Sequence, residues 1–266
     1  MDRYAEMFTG LAARGEGAFG AFVTLGDPDF RTSAKILDLL VQGGADMIEV
    51  GIPFSDPVAD GPVIQASAQR ALRAGIRPAD CFTLLADFRS RHPELPVGIL
   101  TYANLVFARG LGGFYRRAAE AGADSVLVAD VPLIEAEPFV AAARENGVAP
   151  VLIAAANTAP ERLAAIAGLG GGYTYCVARA GVTGADEEVR FGHGEMLGTL
   201  AAHGAPPPVF GFGIARPSHV EAALVAGAAG AICGSAIVAR IAEGKLAELP
   251  GFVREMKAAT ARRRAA

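Results

Sequence analysis

The sequence predicts an α/β fold, a single-domain TIM (β/α)8 barrel, and three observations carry that prediction. Eight short apolar runs rich in β-branched residues alternate with Ala- and Leu-rich helical stretches. The runs are continuously apolar rather than alternating, the pattern of strands buried on both faces and therefore parallel. The 266 residues carry no Ser/Gly linker, charge block or change of composition, so residues 1–266 are expected to form one domain. A doubly wound sheet is the alternative. Against it, the first run is not followed by GxGxxG, and a count of eight is what closure of this barrel requires.

In chain order, FGAFVTL is the first strand and leads to a helix over 31–41, and DMIEVGI is the second, leading to a helix over 63–73. PVGILTY precedes a helix over 113–121; SVLVADV and APVLIAA follow, the latter leading to a helix over 160–167. YTYCVA, PPVFGFG and GAICGSA complete the set, with a helix over 217–226 between the last two. Val, Ile, Phe and Tyr fit a pleated buried surface, whereas Ala and Leu favour the intervening helices.

Composition excludes several classes of function. About half the residues are apolar, enough for a large core, and the formal charge of −4 advertises neither nucleic acid nor an anionic membrane as a partner. Arg262, Arg263 and Arg264 form the one basic cluster, read as a helix end that complements the helix dipole, with a nucleic-acid tail as the alternative. Cys81, Cys176 and Cys233 are odd in number and lack CxxC spacing, which disfavours a disulfide framework or a zinc site and fits a reducing cytoplasm. The N-terminal segment has no apolar core of a signal peptide, and no run approaches the ~20 residues of a membrane span. His92, His193, His203 and His219 lack ligand spacing, so no metal is expected.

The segments GGADMIEVG, AGADSVLVAD and AGAAGAICG share a helix-ending Gly, two small residues and a strand. Aligned on Gly44, Gly122 and Gly227, they place Glu49 in the slot of Leu127 and Ile232. If that slot faces the barrel interior, Glu49 is a carboxyl among apolar side chains, and burial of that kind raises its pKa toward the range a proton-transferring group needs. The bland alternative is a buried ion pair, with Arg179 as partner.

Asp60 lies in DPVADGP just past the same strand, and two readings stand: a carboxylate folded over the mouth, or a cap for the helix beginning near Pro62. Asp56 is equally open, including a role facing a partner protein. GFGI (211–214) and CGSAI (233–237) resemble two halves of a phosphate cradle, since loops after the last two barrel strands commonly offer backbone amides to an anion; simple tight turns are the alternative. The long Gly-containing stretch ARAGVTGADEEVRFGHGE reads as a lid, with Gly184 adding an amide and Arg179 contacting the anion or the closed loop. Phe22, Tyr102, Tyr175 and Phe212 gather near strand ends, which suits a flat apolar ligand.

The segments FVTLGDP, IEVGIPFSDPVADGPVIQ, GILTYANLVF, ADVP, RAGVTG, GFGI and GSAIV resemble, along nearly the whole chain, the α subunit family of tryptophan synthase. That resemblance implies reversible retro-aldol cleavage of indole-3-glycerol phosphate to indole and glyceraldehyde 3-phosphate. It implies no cofactor in this chain, and a β subunit carrying pyridoxal phosphate as partner in an α2β2 heterotetramer. Residue by residue it implies Glu49 as general acid–base and Asp60 as the carboxylate on the indole nitrogen. Phe22, Leu100, Leu127, Ala129, Tyr175, Thr183, Phe212 and Ile232 would line the indole pocket, and Gly184, Gly213, Gly234 and Ser235 would hold phosphate. Pro53, Asp56 and Asn104 would face the β subunit. Ala178, where many relatives carry Ser, the run Gly170 to Gly172 and the basic tail depart from the family pattern. The competing readings are another phosphate-binding barrel, such as an isomerase of a phosphorylated sugar, and a non-catalytic activator of a β subunit.

Overall fold

A computed structural model describes residues 2–177 and 193–261. Nine parallel strand segments make one sheet in the order β5-β4-β3-β2-β1-β9-β8-β7-β6. They are β1 (Ala18–Thr24), β2 (Met47–Gly51), β3 (Val97–Thr101), β4 (Ser125–Val128), β5 (Ala149–Pro150), β6 (Leu152–Ala155), β7 (Thr174–Val177), β8 (Pro208–Gly211) and β9 (Gly230–Cys233). The two ends of that order are consecutive in the chain, separated only by Val151, so β5 and β6 are one interrupted fifth strand and the barrel closes through it. The first half pairs with β4 and the second with β7. Pro150 brings no N–H to the ladder at the break.

The expected helices are present as α2 (Phe30–Gln42), α3 (Pro62–Arg73), α6 (Leu111–Glu120), α8 (Pro160–Leu169) and α10 (Pro217–Val225). Two more, α1 (Arg3–Ala13) and α4 (Pro78–Arg91), were not assigned by pattern. α1 buries only Tyr4 and Leu11 along its length, too sparse a stripe for periodicity to mark. The short α5 (Ala103–Phe107) follows β3, α7 (Glu137–Glu145) follows β4, α9 (Gly194–Ala202) precedes β8, α11 (Ser235–Ala242) follows β9, and α12 (Leu249–Ala258) comes last among the described residues.

Two apolar layers result. Residues such as Phe19, Ala21, Ile48, Val50 and Ile99 face outward into the packing between strands and helices. The opposite faces, including Phe22, Met47, Leu100, Leu127, Tyr175 and Ile232, fill the barrel interior. In a parallel ladder paired residues share a face, and Phe22 pairs with Glu49, Glu49 with Gly98, and Leu100 with Leu127. Ile232 pairs with Gly20, two residues before Phe22 on the same face. The slot shared by Glu49, Leu127 and Ile232 therefore points inward.

The floor of the barrel is polar in one place. Tyr4 from α1 reaches Ser125 on β4 with 2.8 Å between hydroxyl oxygens, and its ring lies 5.4 Å from that of Tyr173. Gly98 makes room for this group, since a Cβ there would sit 2.6 Å from Ser125 Oγ and 3.1 Å from Tyr4 Oη. The run Gly170 to Gly172 is a turn at the same end: Gly171 N–H donates to Pro150 O at 2.8 Å, and Gly172 takes a positive φ against Tyr4.

Candidate active site

Glu49 and Asp60 open into one cavity of about 220 Å³ at the C-terminal mouth of the barrel. Glu49 is only 1% exposed, and the Tyr173 hydroxyl donates to its Oε1 at 2.7 Å. Burial pushes the Glu49 carboxyl up to about 7; the Tyr173 hydrogen bond opposes that rise and the negative charge of Asp60 adds to it. No lysine or arginine among the described residues neutralises it, and Arg179 lies outside them. The result is an acid poised between its two protonation states near neutrality.

Asp60 does not cap α3. The N-cap is Gly61, without a side-chain hydrogen bond, and Pro62 occupies the first turn, where its missing N–H does no harm. Instead the Tyr102 hydroxyl, at the end of β3, donates to Asp60 Oδ2 at 2.8 Å. The Tyr102 hydroxyl oxygen in turn accepts from Ala59 N–H at 3.3 Å, and the Tyr102 ring stacks on Phe54 at 5.2 Å. One tyrosine thus holds the loop over 53–60 and aims its carboxylate at the cavity. Burial raises the pKa of Asp60, with the Tyr102 hydrogen bond pulling the other way.

Phe22, Leu100, Tyr175, Phe212 and Ile232 line the cavity, giving it flat apolar walls. Leu127 and Ala129 belong to the adjoining interior cluster without touching the cavity itself, and Thr183 lies outside the described residues. Gly213, Gly234 and Ser235 form the far wall. Gly184, like the whole stretch over 178–192, lies outside the described residues, as do Arg262 to Arg264. Ser235 is the first residue of α11, where backbone N–H groups have no partner within the helix. Pro53 is buried at the base of the loop after β2, whereas Asp56 and Asn104 are exposed on the same rim.

Sequence reasoning missed Tyr173 as the partner of Glu49; the period of two places Tyr173 on the inward face with Tyr175 but does not say which residue it meets there. It also left unassigned Val63, Ile64, Ala215 and Ala239, which complete the wall beside Ile214 and Ala236 of the two expected cradle segments.

The family model described as "Tryptophan synthase alpha chain" matches residues 8–264. The chain belongs to that family. It is 54% identical to the tryptophan synthase alpha chain of Shewanella amazonensis, the alignment covering 98% of this chain and all of that one. It is 51% identical to the one from Photobacterium profundum over 98% of this chain and 99% of that one. Among solved structures, a Mycobacterium tuberculosis tryptophan synthase chain superposes with a TM-score of 0.88 at 31% identity, covering 97% of this chain and 98% of that chain. A chain of the tryptophan synthase a2b2 complex from Pyrococcus furiosus gives 0.84 at 36% identity, covering 91% and 98%. The chain is thus a lyase of tryptophan biosynthesis, catalysing the α reaction on indole-3-glycerol phosphate.

Proposed function

We propose that Glu49 performs the proton transfers of this retro-aldol cleavage and that Asp60 stabilises the charge they create. The observation that carries the reading is a single cavity holding a buried acid with a pKa of about 7, a second carboxylate, flat apolar walls and two glycine loops. In its protonated form Glu49 donates to indole C3, and positive charge develops on the ring nitrogen. Asp60 accepts the hydrogen of that nitrogen and offsets the charge. Glu49, now ionised, takes the proton of the hydroxyl on the adjacent carbon; the carbon–carbon bond breaks, its electron pair returns to the ring, and an aldehyde leaves. The proton lent to C3 is recovered from the hydroxyl, so one carboxyl serves both steps. Phe22, Leu100, Tyr175, Phe212 and Ile232 sandwich the indole, Leu127 and Ala129 lie beyond them, and the family resemblance assigns Thr183 to the same pocket. Gly184, Gly213, Gly234 and Ser235 hold the phosphate.

The partner in this reading is a β subunit carrying pyridoxal phosphate, in an α2β2 assembly in the cytoplasm, with residues 1–266 acting as one domain. Pro53, Asp56 and Asn104 would meet it. Val58, Phe107 and Ile134, in the segments that follow β2, β3 and β4, support an apolar docking face on the same rim, being 78%, 58% and 87% exposed. The deciding experiment is indole release from indole-3-glycerol phosphate by the chain and by Glu49→Gln, alone and with a β subunit plus serine. Slow release alone, strong stimulation by the partner and loss of at least ~100-fold in the variant are expected. Undiminished turnover by a folded Glu49→Gln chain overturns the assignment.

A further inference from the structure

The loop that leaves β8 is held in an unfavourable conformation. Phe212 takes a φ of +56° and Gly213 follows at +83°, two successive left-handed residues of which only the glycine adopts the region without strain. Such a backbone persists only when its surroundings over-determine it. The Phe212 ring is anchored edge-on to Tyr175 at 5.7 Å. The other anchor is His219, in the first turn of α10 and 7% exposed.

The hydrogen bonds of His219 define its tautomer. Arg216 Nε–H points at His219 Nε2 at 2.7 Å, and a guanidinium can only donate, so Nε2 is the acceptor. The ring hydrogen is then on Nδ1, and it donates to Gly213 O at 2.9 Å. The approach of Ala215 N–H to the same Nδ1, at 3.3 Å, is a contact and not a second hydrogen bond. His219 is not on the cavity wall, whereas Gly213, Ile214 and Ala215 are. A peptide that turns its C=O to His219 turns its N–H the opposite way, because the trans unit is planar. The Gly213 to Ile214 peptide therefore directs the Ile214 N–H to the cavity side.

We propose that His219 is a positioning residue for the phosphate subsite: by clasping Gly213 O, with Arg216 fixing its tautomer, it holds the amides of the β8 loop ready for a phosphate group. This rests on the reading of the cavity as one that takes a phosphorylated substrate. Without the clasp the loop relaxes toward ordinary φ values, and each binding event must reorganise it.

The test is titration of the full chain with glycerol 3-phosphate and, separately, with indole, together with steady-state kinetics on indole-3-glycerol phosphate. Removal of one such hydrogen bond in His219→Ala should weaken glycerol 3-phosphate binding about five- to tenfold. It should raise KM by a similar factor while kcat stays within about twofold and indole affinity is unchanged. His219→Asn, whose amide nitrogen lies where Nδ1 lies, should restore most of the loss. His219→Gln, of similar size and polarity but reaching the Nε2 position, should not, and this pair carries the test if the alanine variant fails to fold. Wild-type phosphate affinity in His219→Ala or His219→Gln, or equal losses for phosphate and indole, would overturn the clasp. Failure of the wild-type chain itself to bind glycerol 3-phosphate would instead overturn the phosphate reading beneath it, whatever the variants do.

Discussion

Replacement of Glu49 by Gln should make the protein more stable above neutral pH while removing its activity. In the folded chain the Glu49 carboxyl titrates at about 7 instead of the ordinary 4.5. Because it is raised, the folded state holds this proton more tightly than the unfolded one. The associated stability is fully present below pH 4.5, falls as the pH rises, and is gone above about 7. At about 1.4 kcal/mol per pH unit, that displacement amounts to about 3 kcal/mol, a large fraction of the ~5–15 kcal/mol that holds a typical domain together. Glu49 is 1% exposed, so solvent screening does not erode it. Gln keeps the shape and an oxygen for the Tyr173 hydroxyl but cannot ionise. Urea unfolding of both chains between pH 4 and 8.5 isolates the effect, since every other titrating group is common to the two. The curves should run close together at pH 4 and separate to about 3 kcal/mol by pH 8, with unchanged m values. Parallel curves across the whole range would refute the idea that Glu49 is held protonated by burial.

Two further perturbations address the neighbours of the acids. Tyr173→Phe removes the hydrogen bond that lowers the Glu49 pKa, so the pH dependence of kcat/KM assigned to Glu49 should move to higher pH; an unmoved profile means the tyrosine does not tune the acid. Asp27, 2% exposed, accepts two hydrogen bonds from Arg70 at 2.8 and 2.6 Å and another from Ser67, tying the loop after β1 to α3. Asp27→Ala should cost about 2–3 kcal/mol, below the full penalty of a buried pair because Arg70 is partly exposed. Urea denaturation reads it, and a loss under about 0.5 kcal/mol would contradict the clamp.

What the sequence by itself determined is whatever depends on local pattern. Continuous apolar runs between helices are enough to specify parallel strands, because a strand covered on both faces must be apolar throughout. The repeated Gly-small-small-strand pattern placed Glu49 in one slot with Leu127 and Ile232, since a period of two leaves each residue only two faces to choose from, and the barrel register then showed that slot to face inward. The cavity-lining glycines and Ser235 were legible because strand ends and helix starts carry recognisable turn residues. What only the tertiary structure decided is who meets whom across long separations. Tyr173 reaches Glu49 across 124 residues and Tyr102 reaches Asp60 across 42, and neither pairing leaves a trace in local spacing. That Asp60 lines the cavity and does not cap α3 was decided in the same way, by the hydroxyl of Tyr102 just past β3. The split fifth strand and the reach of Tyr4 in α1 to Ser125 on β4 likewise depend on barrel closure, which brings distant segments to one point. Local periodicity records which face a side chain takes, and closure decides what waits there.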